Sequence, residues 1–232
     1  RIFRGKMEIE NKCTTILSKA QVIFVGTKAG LFISRDNGRS WHKQEIGIGN
    51  CSILNIEFGA GQNAAIYLAA TSGIFKSLDD GKSWEKVFVS YSNSDSAEEM
   101  IEEEPDSPER LTDINFVKPD PHNSNLLYFS CVKGVYRSIN QGQSWEKLTE
   151  YGLLNRDIKM ICLADSSEIF ALSSSGIFLY AKERWSELSF GLIAGKLNYF
   201  TLDNLNNIYA VGEKGIYKSN QNNPSNFKRS SL

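Results

Sequence analysis

Short runs of apolar residues, many of them alternating, recur along the chain at nearly regular intervals. Val22–Thr27 reads VIFVGT, Ala65–Thr71 AIYLAAT, Leu126–Cys131 LLYFSC, Glu168–Ser173 EIFALS and Asn207–Gly212 NIYAVG. β-Branched and aromatic side chains dominate these runs, which is the composition of strands. Each is followed by a run that opens on glycine: GLFIS at Gly30, GIFKS at Gly73, GVYRS at Gly134, GIFLY at Gly176 and GIYKS at Gly215. Four are preceded by a third run: SILNIEF from Ser52, LTDINFVKP from Leu111, DIKMICLA from Asp157 and KLNYFTL from Lys196. The stretches WEKV and WEKL supply a fourth. Four antiparallel strands in about 40 residues make one propeller blade.

The pattern predicts an all-β chain, a single β-propeller domain of five blades at about 13–48, 49–90, 111–150, 155–190 and 195–231, with an insertion at 91–110. A ring of blades buries each small sheet against two neighbours and leaves few open edges, which an open stack does not. A fragment of a six- to eight-bladed ring is the alternative. RIFRGKMEIE, from Arg1, reads as the third and fourth strands of an earlier blade, with Ile2-Phe3-Arg4 in the place of Ile74-Phe75-Lys76, or equally as a clasp completing the last blade. Because the chain opens at Arg1 and not at Met, a processed protein or a domain excerpt is expected.

A polar turn joins the third and fourth runs. In the first three copies it reads Ser34/Asp36/Gly38/Trp41, Ser77/Asp79/Gly81/Trp84 and Ser138/Asn140/Gly142/Trp145. An Asp side chain accepts bonds from backbone N–H groups just after it, and glycine supplies the positive φ of a tight hairpin. All four tryptophans, Trp185 included, fall at one repeat position. They are expected to anchor the core between blades, with a partner for each indole N–H. The last two copies have lost the turn.

This pattern resembles the Asp-box, or bacterial neuraminidase repeat, of sialidases, xyloglucanase-type glycosidases, sortilin-type receptors and photosystem II assembly-factor propellers. The resemblance implies a propeller in which the Asp-box is a structural hairpin remote from the usual binding face. It also implies that function lies with the loops before Gly30, Gly73, Gly134, Gly176 and Gly215 and with the connections between blades. A sialidase would need an arginine triad and a Tyr with a neighbouring Glu, whereas the arginines here share no repeat position.

Glycoside hydrolysis requires two carboxylates about 5 to 9.5 Å apart. Asp113 and Asp157, at blade entrances, are the candidate pair, and loop or capping carboxylates are the plainer reading of both. His42 and His122 have no Cys or carboxylate at metal-ligand spacing, so no metal or other cofactor is expected. Cys13, Cys51, Cys131 and Cys162 read as buried free thiols, with a Cys13–Cys51 bridge as the alternative. The insertion carries Glu98, Glu99, Glu102, Glu103, Glu104 and Asp106 and reads as a solvated loop or an acidic partner-binding arm.

With 26 basic and 27 acidic residues the net charge is −1, and no basic stripe suits nucleic acid. No apolar run approaches the roughly 20 residues of a membrane span. The expectation is a monomeric, non-enzymatic scaffold that binds a protein partner outside the cytoplasm, whether secreted, periplasmic or lumenal. A glycan-directed hydrolase or lectin-like module is the alternative.

Overall fold

A computed structural model of the chain describes residues 2–45, 47–61, 64–89, 114–164, 168–188, 197–220 and 223–229. Among the described residues twenty strands form five four-stranded antiparallel sheets. The first blade is β1 (Cys13–Lys19), β2 (Val22–Thr27), β3 (Gly30–Ser34) and β4 (His42–Gln44). The second is β5 (Ile53–Phe58), β6 (Ile66–Ala70), β7 (Gly73–Ser77) and β8 (Glu85–Val89). The third is β9 (Ile114–Pro119), β10 (Leu127–Cys131), β11 (Gly134–Ser138) and β12 (Glu146–Lys147). The fourth is β13 (Ile158–Leu163), β14 (Ile169–Ser173), β15 (Gly176–Ala181) and β16 (Arg184–Glu187). The fifth is β17 (Leu197–Leu202), β18 (Ile208–Gly212), β19 (Gly215–Asn220) and β20 (Asn223–Arg229). Within every sheet each strand pairs with its neighbour in sequence, which is the meander of a β-propeller blade. The fold is a five-blade β-propeller.

The chain divides into two compact units, Arg1–Leu127 with Ser138–Trp145 and Tyr128–Arg137 with Glu146–Leu232, so the third blade contributes to both. In the first unit the leading core joins Phe24, Leu31 and Ile33 of the first blade to Ile53, Ile56, Leu68 and Phe75 of the second. There the middle strands β3, β6 and β7 bury all or nearly all of their residues, as strands covered on both faces must. In the second unit β13 and β14 touch β17, and the Cys162 thiol lies 3.8 Å from the Phe200 carbonyl.

The glycine that opens each third strand has a local cause. Gly73 sits at φ +144°, and a side chain there would run into the Phe88 carbonyl of the paired strand β8. A residue without Cβ removes both problems. Gly30, Gly134, Gly176 and Gly215 share the conformation, with φ between +122° and +145° across the set.

The first strands share an irregularity too. Register shifts fall at Cys13/Thr15, Ile53/Asn55, Ile158/Met160 and Leu197/Tyr199. Beyond them Ile16, Ile56, Ile161 and Phe200 occupy one register position, opposite Val25, Leu68, Ala171 and Ala210. Ile56 is covered by the first blade, whereas Ile16 is 64% exposed.

The segment before β1 is not the third strand of an earlier blade. A Cβ placed on Gly38 would lie 3.5 Å from Ile2, as one on Gly142 would lie 3.0 Å from Val87 of β8. Phe3 stands edge-on to Trp41, as Phe88 of β8 does to Trp145. Ile2-Phe3 therefore takes the place that the fourth strand of one blade takes against the next, and corresponds to Val87-Phe88. A 3-10 turn, Ile9–Asn11, then touches β2. The Glu10 carboxylate closes this segment by accepting the Lys6 and Met7 N–H groups.

All four cysteines are free thiols, so Cys13 and Cys51 are not bridged. Cys131 is buried and its thiol pKa is raised by desolvation. Cys51 and Cys162 are half-buried, while Cys13 is exposed, contrary to the expectation of burial. It lies on the same strand as the uncovered Ile16.

Candidate functional site

Three hairpin turns between third and fourth strands share one hydrogen-bond plan. In the first, Ser34 Oγ donates to Asp36 Oδ1 at 2.8 Å and accepts the Gly38 N–H at 2.8 Å. Asp36 Oδ1 accepts the Ser40 N–H at 2.9 Å, and Oδ2 accepts the Ser40 hydroxyl at 2.7 Å. In the second, Ser77 and Asp79 repeat this with Gly81 and Ser83, and Asp79 also accepts the Lys82 N–H at 3.0 Å. In the third, Asn140 accepts from Ser138 and from the Ser144 N–H, then donates its amide to Ser144 Oγ at 2.8 Å. Two consecutive residues are left-handed in each turn: Asn37-Gly38, Asp80-Gly81 and Gln141-Gly142.

These bonds fix the electrostatics. The Ser40 N–H and hydroxyl, then the Ser34 hydroxyl, hold Asp36 well below the usual carboxylate range. The Ser83 hydroxyl and N–H lead in lowering Asp79 to about 2. Carboxylates so held are ionised acceptors with no proton to give near neutrality. Ser40, Ser83 and Ser144 are participants that the sequence reading passed over, although a serine precedes the tryptophan in all three copies.

The tryptophans diverge in detail. Trp41 Nε1 donates to the Ile2 carbonyl at 2.8 Å and to Gly38 at 3.2 Å, and Trp185 Nε1 donates to the Thr149 carbonyl at 2.8 Å. Trp84 Nε1 finds no hydrogen-bond partner among the described residues, so the expectation of one partner per indole fails there. Trp145 takes the edge-on contact with Phe88, ring centroids 6.1 Å apart.

Of the candidate catalytic pair, Asp157 stands just before β13, and its backbone N–H is donated to Asn155 Oδ1 at 2.9 Å. Asn155 in turn donates to Ser174 Oγ, in the turn between β14 and β15, at 2.6 Å. Asp113 and the acidic residues Glu98, Glu99, Glu102, Glu103, Glu104 and Asp106 lie outside the described residues.

Two further carboxylates close loops of their own. Asp203 accepts from the Leu205 and Asn207 N–H groups, the Asn207 amide and the Tyr209 hydroxyl. Its pKa is lowered, chiefly by the Asn207 side chain. Asp120 accepts the His122 and Asn123 N–H groups in the connection between β9 and β10. Among the described residues no three His, Cys, Asp or Glu side chains gather as metal ligands do, and no helix is long and apolar enough to cross a membrane.

Large apolar side chains stand out on two stretches. Leu78 and Ile139, each between the Ser and the Asp or Asn of its turn, are 72% and 64% exposed. In the second unit Tyr151 and Leu154 are both largely exposed, and the Arg184 guanidinium lies 5.4 Å from the Tyr151 ring centroid.

Comparisons with known proteins agree on the architecture. Over 96% of its length the chain superposes on 69% of "YCF48 bound to D1 peptide", with a TM-score of 0.65 and 14% identity. Over 90% it matches 31% of an ancestral GH74 enzyme, with a TM-score of 0.70 and 22% identity. Over 94% it matches 30% of the extracellular domain of a hybrid two-component system from B. thetaiotaomicron, with a TM-score of 0.70 and 15% identity. The chain thus spans about a third of the latter two proteins. At these identities the likeness is one of fold. No curated protein matches in sequence. The family model for Sortilin-Vps10, described as "Sortilin, neurotensin receptor 3", matches residues 29–184, from the first blade into the fourth. The chain belongs to the Sortilin-Vps10 family.

Proposed function

We propose that this propeller is a non-enzymatic protein-binding scaffold. The observation that carries the reading is the exposed cluster of Tyr151 and Leu154 with Arg184 at the Tyr151 ring. Tyr and Arg are the side chains most enriched where protein partners bind tightly, and an aromatic ring left in water gains most when a partner covers it. The described carboxylates with lowered pKa support the same reading, because Glu10, Asp36, Asp79 and Asp203 are engaged by donors of their own loops. The YCF48 structure with a bound D1 peptide offers a precedent for peptide capture on a similar fold. The acidic arm, Glu98 to Asp106, is a second contact surface in this proposal, for a basic partner segment. An extracytoplasmic, monomeric protein is part of the same proposal, in keeping with the extracellular-domain relatives.

Selection from a displayed random-peptide library tests it. The expected result is a set of sequences whose binding falls at least tenfold on Tyr151→Ala or Leu154→Ala, with the Tm of both variants unchanged. The alternative is glycan-directed chemistry at Asp113 and Asp157, prompted by the GH74 likeness. Fluorogenic-sugar release that is lost in Asp157→Asn, with no peptide enriched, would replace the scaffold with a hydrolase.

A further inference from the structure

Tyr151 lies in the connection from β12 to β13, and that connection is stapled to β16. The Leu153 N–H donates to the Glu150 carbonyl at 2.9 Å, closing a turn around Tyr151 and Gly152. The Trp185 N–H donates to the Tyr151 carbonyl at 2.9 Å, and Trp185 Nε1 donates to the Thr149 carbonyl at 2.8 Å. Gly152 sits at φ +92°, and a side chain there would run into the Trp185 carbonyl. Trp185 is buried, so the turn is anchored to the core while Tyr151 stays 67% exposed. Backbone fixed in this way is ordered before a partner arrives, which lowers the entropy cost of binding.

Charge around this turn is lopsided. Glu150 pairs with Lys147 Nζ at 2.5 Å and with Arg156 Nε at 2.6 Å, so one carboxylate serves two cations. Arg184, 5.4 Å from the Tyr151 ring centroid, adds a third cation and has no carboxylate partner among the described residues. Glu183 precedes it in the turn between β15 and β16, at φ +57°, and does not pair with it. A guanidinium drawn to a ring still has its N–H donors to give, and their fork matches a carboxylate. Leu154, 71% exposed in the same connection as Tyr151, offers an apolar contact beside the charge. We infer that this surface takes an acidic peptide segment of a protein partner, with an Asp or Glu side chain on the Arg184 fork and a neighbouring apolar side chain across Tyr151 and Leu154. The inference rests on the protein-binding reading and gives the partner its chemistry. A basic segment would meet Arg184 and Arg156 with Glu150 already engaged, and a wholly apolar one would cover the guanidinium and leave it unpaired.

The probes are three displayed libraries of short peptides, each mixing Leu, Phe, Ser and Gly with Asp and Glu, with Lys and Arg, or with Asn and Gln. The full chain is expected to enrich the acidic library at least tenfold over the other two. Selected acidic clones are then synthesised with an amidated C-terminus, so that only side chains carry carboxylates. They are expected to bind Arg184→Gln at least tenfold more weakly than the parent. Their affinity for the parent falls with rising NaCl, and less steeply in that variant. Arg184→Glu is expected to move enrichment to the Lys and Arg library, a swap that loss of folding cannot produce. Equal enrichment of the neutral library overturns the acidic partner and leaves the protein-binding reading standing. So do clones that lose binding in Tyr151→Ala but keep it in Arg184→Gln, and so does enrichment of the basic library by the parent. No enrichment from any library removes both readings.

Discussion

Phe3 stands edge-on to Trp41, ring centroids 5.0 Å apart and planes at 71°, in a contact that ties the segment before β1 to the outer edge of the first blade. Edge-to-face aromatic pairs of this kind add about 0.5–1.5 kcal/mol to the area they bury. Phe3→Ala is therefore expected to cost about 1–3 kcal/mol. Urea denaturation measures the loss, and a red shift of Trp41 emission should accompany it. Phe88→Ala should behave alike through Trp145, because the two pairs are equivalent.

The turn carboxylates make stability depend on acid. The folded pKa of Asp79 lies at about 2, below the ordinary value of roughly 3.9. A depressed pKa contributes stability that is fully present above about pH 4 and is lost as pH falls through the folded value. Asp79→Asn should lower Tm by a few degrees at pH 7 and by almost nothing at pH 2. The third turn is the internal control, since Asn140 has no proton to gain, and Asn140→Ala should cost the same at both pH values.

Asn55 joins the inner strands of the second and third blades. It donates to the Val117 carbonyl at 2.9 Å and accepts the Val117 N–H at 2.8 Å, with all of these groups buried. Asn55→Leu keeps a similar volume and strands both backbone groups. A loss of about 2–4 kcal/mol is expected, because two unpaired buried polar groups each cost on the order of 1–3 kcal/mol. Chemical denaturation that shows less than about 1 kcal/mol would mean that water replaces both bonds.

Trp185 and Trp84 are both buried, yet only Trp185 has an acceptor among the described residues, the Thr149 carbonyl. Trp→Phe at both sites removes similar ring area. The change at 185 should cost about 1 kcal/mol more, the net worth of one hydrogen bond with its acceptor left unpaired. Paired thermal melts of the two variants measure the difference.

The blades were readable in the sequence because most of the sheets bury both faces of their middle strands, and that demand writes dense apolar runs such as Ile66–Ala70. The self-bonded turn was readable for a related reason: every partner lies within a few residues. What escaped depends on contacts between blades. Asn55 carries no local mark of its bond to Val117, 62 residues away. An Ile-Phe pair suits a third strand, as in Ile74-Phe75, and equally a fourth, where Val87-Phe88 stands. Only the approach to Gly38 and Trp41 assigns Ile2-Phe3 to the second kind. Tyr151 and Leu154 escaped because exposure, not residue type, sets them apart. Asp157 was found by its place at a blade entrance, whereas the cap there is Asn155, whose side chain accepts the Asp157 N–H.

The turn that fastens third strand to fourth is closed by Ser, Asp or Asn, Gly and a second Ser, all inside seven residues. None of those bonds involves the side chain of the residue after the first serine, which is Arg35, Leu78 or Ile139. The fastener is thus standardised while one outward letter is left free to vary from copy to copy. Substitutions at Leu78 and Ile139 can change what the surface presents to its surroundings without loosening the hairpins that hold it, whereas Arg35 also reaches the Asp80 carbonyl of the second turn at 3.1 Å.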